Sequence, residues 1–181
     1  MSSFPSYEQA LQFLYTCGCS EKIIKHVQAV SKYGVEVAES CSDANVELVR
    51  IGGLLHDIGR CRTHQINHGI AGAQILRRNN IDERIARIAE RHVGAGITAD
   101  EAAGLGLPSG TYVPQTIEEK IVAAVDNLIE GSKRVSIDKA LAAFQREVED
   151  RVIVGRIRAL HEEVFSRCFH SSTYYSSKRR E

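Results

Sequence analysis

The sequence predicts an all-α protein, because apolar residues recur at helical spacing along most of the chain. Only three of its 181 residues are proline, so few positions interrupt a helix. Serine, threonine or aspartate, which cap helix N-termini, precedes several of the periodic segments. These observations favour one helical domain over residues 1–170 and a flexible polar tail over residues 171–181.

Two helices are predicted at the N-terminal end. Ser6 and Gln9 have the spacing of a capping box, which predicts a helix that ends before Cys17-Gly18-Cys19. Ser20 has the right chemistry to cap the second helix. His26 lies in this second helix, beside its apolar stripe, so it is a candidate for a buried position.

The third helix ends in an apolar run that contains a histidine and an aspartate. Ser42 or Asp43 can cap its N-terminus. The apolar pattern continues to His56-Asp57, and Gly59 is expected to end the helix because glycine is the usual residue after a helix C-terminus.

Two short helices follow. Residues 60–67 are polar and predict a connection, after which His68 opens a helix that stops at Asn79-Asn80. Asp82 is the expected cap of the next helix, which carries His92 on its apolar face. Both helices therefore place a histidine where it can reach the interior.

The rest of the chain begins with an irregular excursion over residues 94–115, which hold several glycines and one helical turn near residues 99–103. Thr116 then opens a helix with a second capping box, in which Asp126 stands among apolar residues and Gly131 is the expected stop. Ser136 caps one long C-terminal helical stretch. The domain thus has a core over about 20–135, an N-terminal helix and a C-terminal helical extension.

Charge and cysteine content exclude several classes of protein. Acidic and basic residues number 23 each, so the net charge is zero and nucleic-acid binding is disfavoured. No apolar run is long enough to span a membrane, and no signal peptide is visible, which predicts a soluble, cytoplasmic protein. The five cysteines show no framework spacing, so reduced thiols are expected.

His56 and Asp57 are the most informative pair in the chain. They end an apolar run that begins at Ile51, and an imidazole and a carboxylate are costly to bury there without a partner. A divalent metal ion is a suitable partner, because neutral imidazole and ionised carboxylate are both good ligands for first-row metals. The pair therefore predicts a metal site.

Four other ionisable residues share this setting within predicted helices. Helices packed around a common centre can bring such side chains together, as they do in carboxylate-bridged bundles. Taken alone, His26 and His92 also fit ordinary helix contacts, and Asp126 fits an exposed helix position less well because its neighbours are apolar. The candidate metal ligands are His26, His56, Asp57, His68, His92 and Asp126.

The order of these residues resembles that of the HD-domain superfamily of metal-dependent phosphohydrolases. Its centre, His56-Asp57-Ile58-Gly59, is similar to the HDIG signature of one branch. The resemblance extends over about residues 20–135. Its other matching positions, in chain order, are His26, His68, His92 and Asp126.

The resemblance implies an HD-domain helical bundle with one or two metal positions. The first ion would be bound by His26, His56, Asp57 and Asp126. The second would be bound by Asp57, His68 and His92, with Asp57 as the bridging ligand. His64 competes with His68 for its role, but Gly69 and Gly72 follow His68 in the manner of the family and favour it.

The chain departs from some dinuclear members of the superfamily. The HD-GYP cyclic-dinucleotide phosphodiesterases have a paired His-His-Glu followed by Gly-Tyr-Pro, whereas this chain has Arg91-His92-Val93-Gly94. The lysine that often follows the central glycine is Arg60 here, which suits a phosphate clamp but not a proton donor. Around His68 and Asp126 the chain is more similar to the enzymes that split diadenosine tetraphosphate symmetrically.

The ligand set predicts hydrolysis at phosphorus. Divalent ions lower the pKa of a bound water and neutralise charge that develops on a phosphoryl group. Asp57 is the expected catalytic metal bridge, and Arg60 and Lys120 are the expected cations for the nonbridging oxygens. Imidazole-rich ligation favours Fe, Mn, Co, Ni or Zn over Mg.

The leading hypothesis is therefore a metal-dependent phosphohydrolase that cleaves a phosphate ester or anhydride of a nucleotide-like substrate with a metal-activated hydroxide. The alternative is a metal-stabilised regulatory or binding module without turnover. The sequence leaves the kind of phosphate bond open and allows a homodimer. Residues 94–115 and the helix ends near the site are expected to select the substrate.

Overall fold

A computed structural model describes residues 4–148 and 151–169, and the predicted tail over 171–181 lies outside these ranges. Within them the chain forms nine α-helices, one 3₁₀ turn and one short hairpin. The helices are α1 (Tyr7–Thr16), α2 (Glu21–Glu39), α3 (Val46–Leu55), α4 (His68–Arg78), α5 (Glu83–Arg91), α6 (Ala99–Gly104), α7 (Ile117–Asp126), α8 (Ile137–Val148) and α9 (Arg151–Cys168). The 3₁₀ turn is Ile58–Cys61, and the antiparallel strands are β1 (Ile129–Glu130) and β2 (Lys133–Arg134). The all-α prediction is confirmed.

Several predicted helix starts are confirmed by hydrogen bonds. Ser6 and Gln9 form the predicted capping box of α1, and the Ser20 hydroxyl accepts from the backbone N–H of Ile23 at the start of α2. Thr98 and Glu101 form a further capping box that opens α6 inside the irregular excursion. Local sequence chemistry therefore accounts for these boundaries.

The predicted start of α3 is wrong. Asn45 caps this helix by accepting from the backbone N–H of Leu48 at 3.0 Å. The carboxylate of Asp43 is engaged elsewhere, because it pairs with Arg167 on α9. The helix also ends at Leu55 rather than at Gly59, because the chain tightens into the 3₁₀ turn.

Two predicted C-terminal boundaries also differ from the structure. Helix α7 ends at Asp126, and Gly131 lies beyond it in the hairpin turn, where its φ of 64° suits a residue without a Cβ. The long C-terminal stretch consists of two helices, α8 and α9, which pack against each other. The backbone N–H of Lys139 donates to the Ser136 hydroxyl, in accordance with the predicted cap.

The core lies between α2, α3, α5 and α7: α3 contacts the other three helices, and α7 contacts both α2 and α5. Large apolar side chains such as Ile51, Leu54 and Ile121 are fully buried there. Arg91 of α5 donates to both carboxylate oxygens of Glu119 on α7, at 3.0 and 3.1 Å. Because the core holds these helices together, the side chains at their ends have defined positions relative to one another.

The cysteines depart from the expectation of reduced thiols. Cys41, in the loop after α2, forms a disulfide with Cys168 at the end of α9. The two residues are 127 positions apart, and the packing of α9 against α2 brings them together. Cys17, Cys19 and Cys61 are free.

Within the described ranges, every helix is too short or too polar to cross a lipid bilayer.

Candidate metal centre

All six candidate ligands come together in one cluster, and five of them lie at or beside helix ends. His56 is the C-terminal cap residue of α3, followed directly by Asp57, and His92 has the same position after α5. His68 is the first residue of α4, and Asp126 is the last of α7. The sixth ligand, His26, lies in the interior of helix α2. The ends of α3, α4, α5 and α7 therefore converge beside α2.

One half of the cluster surrounds the Oδ1 atom of Asp57. The Nε2 atom of His68 lies 3.2 Å from this oxygen, and the Nε2 atom of His92 lies 3.4 Å from it. The two imidazole nitrogens are 3.1 Å apart. All three side chains are buried, so this half is shielded from solvent.

The other half surrounds Asp126. Its Oδ1 atom lies 2.9 Å from Nε2 of His26 and 3.4 Å from Nε2 of His56. Both imidazole nitrogens also lie 4.0 Å from Oδ2 of Asp57. Asp57 thus faces both halves, as the bridging role requires.

The histidines are oriented by the backbone. Every one of the four Nδ1 atoms lies 2.7–2.9 Å from a carbonyl oxygen, so Nδ1 carries the proton and Nε2 presents a lone pair to the cluster. This arrangement is typical of metal-binding histidines, whose second nitrogen donates to a backbone or carboxylate oxygen. The accepting carbonyls belong to Gly131, Gly53, Gln65 and Ala89.

The inward-facing atoms lack donors. Nε2 of His56 and Oδ1 of Asp57 are buried without a hydrogen-bond partner among the described residues. The 3.1 Å contact between His68 and His92 joins two lone pairs when both Nδ1 atoms carry the proton. Because buried lone pairs without donors are costly, the cluster favours a cation at its centre.

The pKa shifts of the cluster also favour a cation at its centre. Burial alone would raise the pKa of the Asp57 carboxyl, but the imidazoles of His68, His92 and His56 outweigh burial and hold it well below its usual range. Burial opposes protonation of His56, yet the carboxylates of Asp126 and Asp57 raise its pKa to about 9. Positive charge is therefore stabilised between the two carboxylates.

The two predicted cations have different positions. Arg60 donates from Nε to Oδ2 of Asp57 at 2.6 Å, and its guanidinium borders the site. Lys120 instead places its Nζ 2.6 Å from Glu163 on α9. Lys120 lines neither of the cavities described next, so its role as a phosphate-binding cation stays a prediction that the geometry does not support.

Two cavities lined by described residues open onto the cluster. The first, which we call the α2 cavity, has a volume of about 270 Å³ and reaches His26 and Asp57. The second, the α8 cavity, has a volume of about 330 Å³ and reaches His26 and Asp126. Neither is lined by residues 94–115, the excursion that is expected from the sequence to select the substrate. The hairpin lines both cavities, and α8 lines the α8 cavity.

Fold and cluster together define a helical protein with a histidine- and aspartate-rich site able to hold one or two metal ions. The family model of the HD domain matches residues 23–130. The chain belongs to the HD-domain family, and both the predicted resemblance and the predicted helical bundle are confirmed.

Similar proteins cover the chain to different extents. The uncharacterized protein MJ0778 of Methanocaldococcus jannaschii is 50% identical over 163 residues, which are 87% of this chain and 96% of that protein. A tRNA (cytidine(56)-2′-O)-methyltransferase of Picrophilus torridus is 46% identical over 91% of this chain. The match covers only 48% of the methyltransferase, so this chain corresponds to about half of that protein.

A solved structure shares the fold. The HD domain of the L. monocytogenes phosphodiesterase PgpH, in complex with cyclic-di-AMP, aligns with a TM-score of 0.55 at 19% identity. The alignment covers 90% of this chain and 97% of that one. The described part of the chain therefore has the architecture of an HD domain.

Proposed function

We propose that the protein is a metal-dependent phosphohydrolase that cleaves a phosphate ester or anhydride of a nucleotide-like substrate. The observation that carries the proposal is the convergence of four imidazole lone pairs and two carboxylates beside two open cavities. A purely structural metal site is usually closed by protein ligands, whereas a catalytic one keeps an accessible position. The cavities therefore favour turnover over a regulatory module.

Each side chain has a distinct task in this proposal. His26, His56 and Asp126 would hold one divalent ion, His68 and His92 would hold a second, and Asp57 would contact both. When bound, such ions supply Lewis acidity at phosphorus and a lowered pKa of water. The Nδ1–carbonyl hydrogen bonds keep the four imidazoles in the orientation that binding requires.

Arg60 would act on the substrate. Its guanidinium contacts Asp57 and lines both cavities, so a phosphate group that enters from either side meets a cation. Guanidinium groups match the geometry of phosphate oxygens and stabilise the charge that develops on them. Because arginine stays protonated, a proton for the leaving group must come from another source, such as solvent.

The relatives support this proposal at different levels. PgpH is named as a phosphodiesterase and its HD domain binds a cyclic dinucleotide, which fits a nucleotide substrate. The methyltransferase activity is not proposed for this chain, because about half of that relative lies outside the match. A cluster of metal ligands is also suited to hydrolysis at phosphorus.

The proposal is tested by metal analysis of the purified protein followed by a hydrolysis screen. The panel contains phosphomonoesters, phosphodiesters and nucleoside polyphosphates, each assayed with Mn, Fe, Co, Ni, Zn or Mg and again with excess chelator. We expect turnover of at least one class with an imidazole-preferring ion and none with chelator. A fully metallated protein that leaves the whole panel intact would contradict the proposal and favour the regulatory module.

Metal removal is also expected to destabilise the fold. A ligand that binds only the native state adds about 2.7 kcal/mol when its concentration is 100 times Kd. For a chain of this size that corresponds to a fall in Tm of about 5–10 °C on chelation. Differential scanning fluorimetry with and without chelator measures the shift, and re-addition of Mn or Fe should reverse it. An unchanged Tm would show that the cluster does not hold an ion.

A further inference from the structure

The two cavities that meet at the metal cluster differ in chemistry. They share His26, Arg60 and Ile129, so they lie side by side with the reactive position between them. Their volumes, about 270 and 330 Å³, lie near the lower end of the range for small-molecule sites, about 300 Å³. A substrate that spans both cavities would therefore place one part in each and its reacting phosphorus at the shared border.

The α2 cavity is basic. Besides Arg60 it is lined by Lys22 and His64, and Asp57 is the one carboxylate among the described residues that line it. Asp57 is already contacted by Arg60 and the imidazoles, so the remaining charge of the wall is positive. Such a wall suits a phosphate group.

The α8 cavity has an apolar wall formed by Phe144, Ala140 and Val135. Its lining also carries charged side chains: Lys139 pairs with Glu130 at 2.5 Å, and Arg146 is exposed. A flat aromatic side chain beside small apolar ones suits stacking of a nucleobase. Phe144 and the rest of α8 lie outside residues 23–130, so the family match assigns nothing to them.

We infer that the substrate is a nucleotide with at least two phosphate groups, bound across both cavities. Its base stacks on Phe144 in the α8 cavity, the reacting phosphate lies beside Arg60, and a further phosphate occupies the α2 cavity at Lys22. A dinucleotide with a terminal phosphate, such as pApA, and a nucleoside polyphosphate both have this arrangement. The inference rests on the proposed hydrolase function for the reaction but makes a separate claim about binding.

The binding test uses isothermal titration calorimetry on the metallated full-length protein with three probes. Pyrophosphate reports on the α2 cavity, AMP on the α8 cavity, and ADP on both. We expect Lys22→Ala to weaken pyrophosphate and ADP by about tenfold, the effect of losing one charged contact, and AMP by less than about twofold. Lys25→Ala, an exposed lysine of the same helix that lines neither cavity, is the matched control.

A second variant tests the base-stacking wall. Phe144→Leu keeps an apolar side chain but removes the ring, so AMP and ADP should bind about five- to tenfold more weakly while pyrophosphate is unchanged. Phe144→Tyr should restore binding because it keeps the ring, and a merely structural role would not follow this pattern. Phe13→Leu on α1 is the control for loss of a half-buried phenyl ring elsewhere.

The outcomes separate this inference from the proposed function. Hydrolysis of bis(p-nitrophenyl) phosphate measures turnover without either subsite. If turnover is absent but the variants change binding as expected, the hydrolase proposal fails and the two-cavity assignment stands. If the protein turns over but Lys22→Ala and Phe144→Leu bind all three probes like the wild type, the inference is overturned. Comparing pApA with ATP as substrates then identifies which of the two nucleotide classes is cleaved.

Discussion

Asp57→Asn is expected to abolish metal-dependent hydrolysis, with a loss of about 1,000-fold. Loss of a residue that only orients a metal ligand already costs about 10–100-fold, and loss of one group that stabilises a transition state costs about 100–1,000-fold. Loss of the Asp57 carboxylate is expected to cost more than loss of one such group, because its two oxygens face both halves of the cluster. Asparagine keeps the shape of the side chain but removes the charge that the ions require.

The expected loss should be accompanied by loss of metal. Elemental analysis of the purified variant should show less than one ion per chain, whereas circular dichroism should show an unchanged helical spectrum. Asp138→Asn, at a carboxylate whose side chain is 77% exposed on α8, is the matched control and should retain both metal and activity. If the Asp57→Asn variant had wild-type metal content and turnover, Asp57 would not be required for metal binding or for hydrolysis.

Gly59→Ala is expected to destabilise the protein by about 3 kcal/mol or more, the upper part of the range for overpacking. A Cβ atom at this position would lie 1.9 Å from the carbonyl oxygen of His68 and 2.5 Å from the backbone nitrogen of Gly72. Both atoms belong to the backbone of α4, so no side-chain rotation relieves the contact. Helix α4 must move away, and His68 moves with it.

Chemical denaturation and metal titration measure both consequences. The fall in stability corresponds to a decrease in Tm of about 6–12 °C for a chain of this length, and affinity for a second ion should fall. Gly155→Ala on α9 is the matched control, because nothing lies within 4 Å of its Cβ position. That variant should be slightly more stable, by about 0.5–1 kcal/mol, as alanine replaces glycine in a helix. Equal stability of Gly59→Ala and wild type would contradict the close packing of the 3₁₀ turn against α4.

The helix boundaries show how far local patterns extend. The capping box at Ser6 and the stop at Asn79 follow from residues only a few positions apart, and the structure has both. The sequence places the start of α3 two or three residues too early, because Asp43 has the chemistry of a cap but pairs with Arg167, 124 positions away. A partner so distant in the sequence cannot be inferred from the residues around Asp43.

Local patterns also indicate part of the site. The sequence points to the six candidate ligands because histidine and aspartate are conspicuous in apolar segments and because their order resembles that of a known family. The cavity wall at Phe144 had no such signal, since an apolar residue in an amphipathic helix is usually a packing residue. Only its charge makes Lys120 a candidate from the sequence, and in the structure it pairs with Glu163 on α9.

The sequence by itself determined that the chain is helical, where most of its helices begin, and which residues can bind a metal. These properties depend on side-chain chemistry and on neighbours within one or two helical turns. Only the tertiary structure decided that α8 lines a cavity at the site, that Cys41 meets Cys168, and that Lys120 pairs with Glu163. Those contacts depend on how helices pack in three dimensions, and packing is set by the whole core rather than by any one segment.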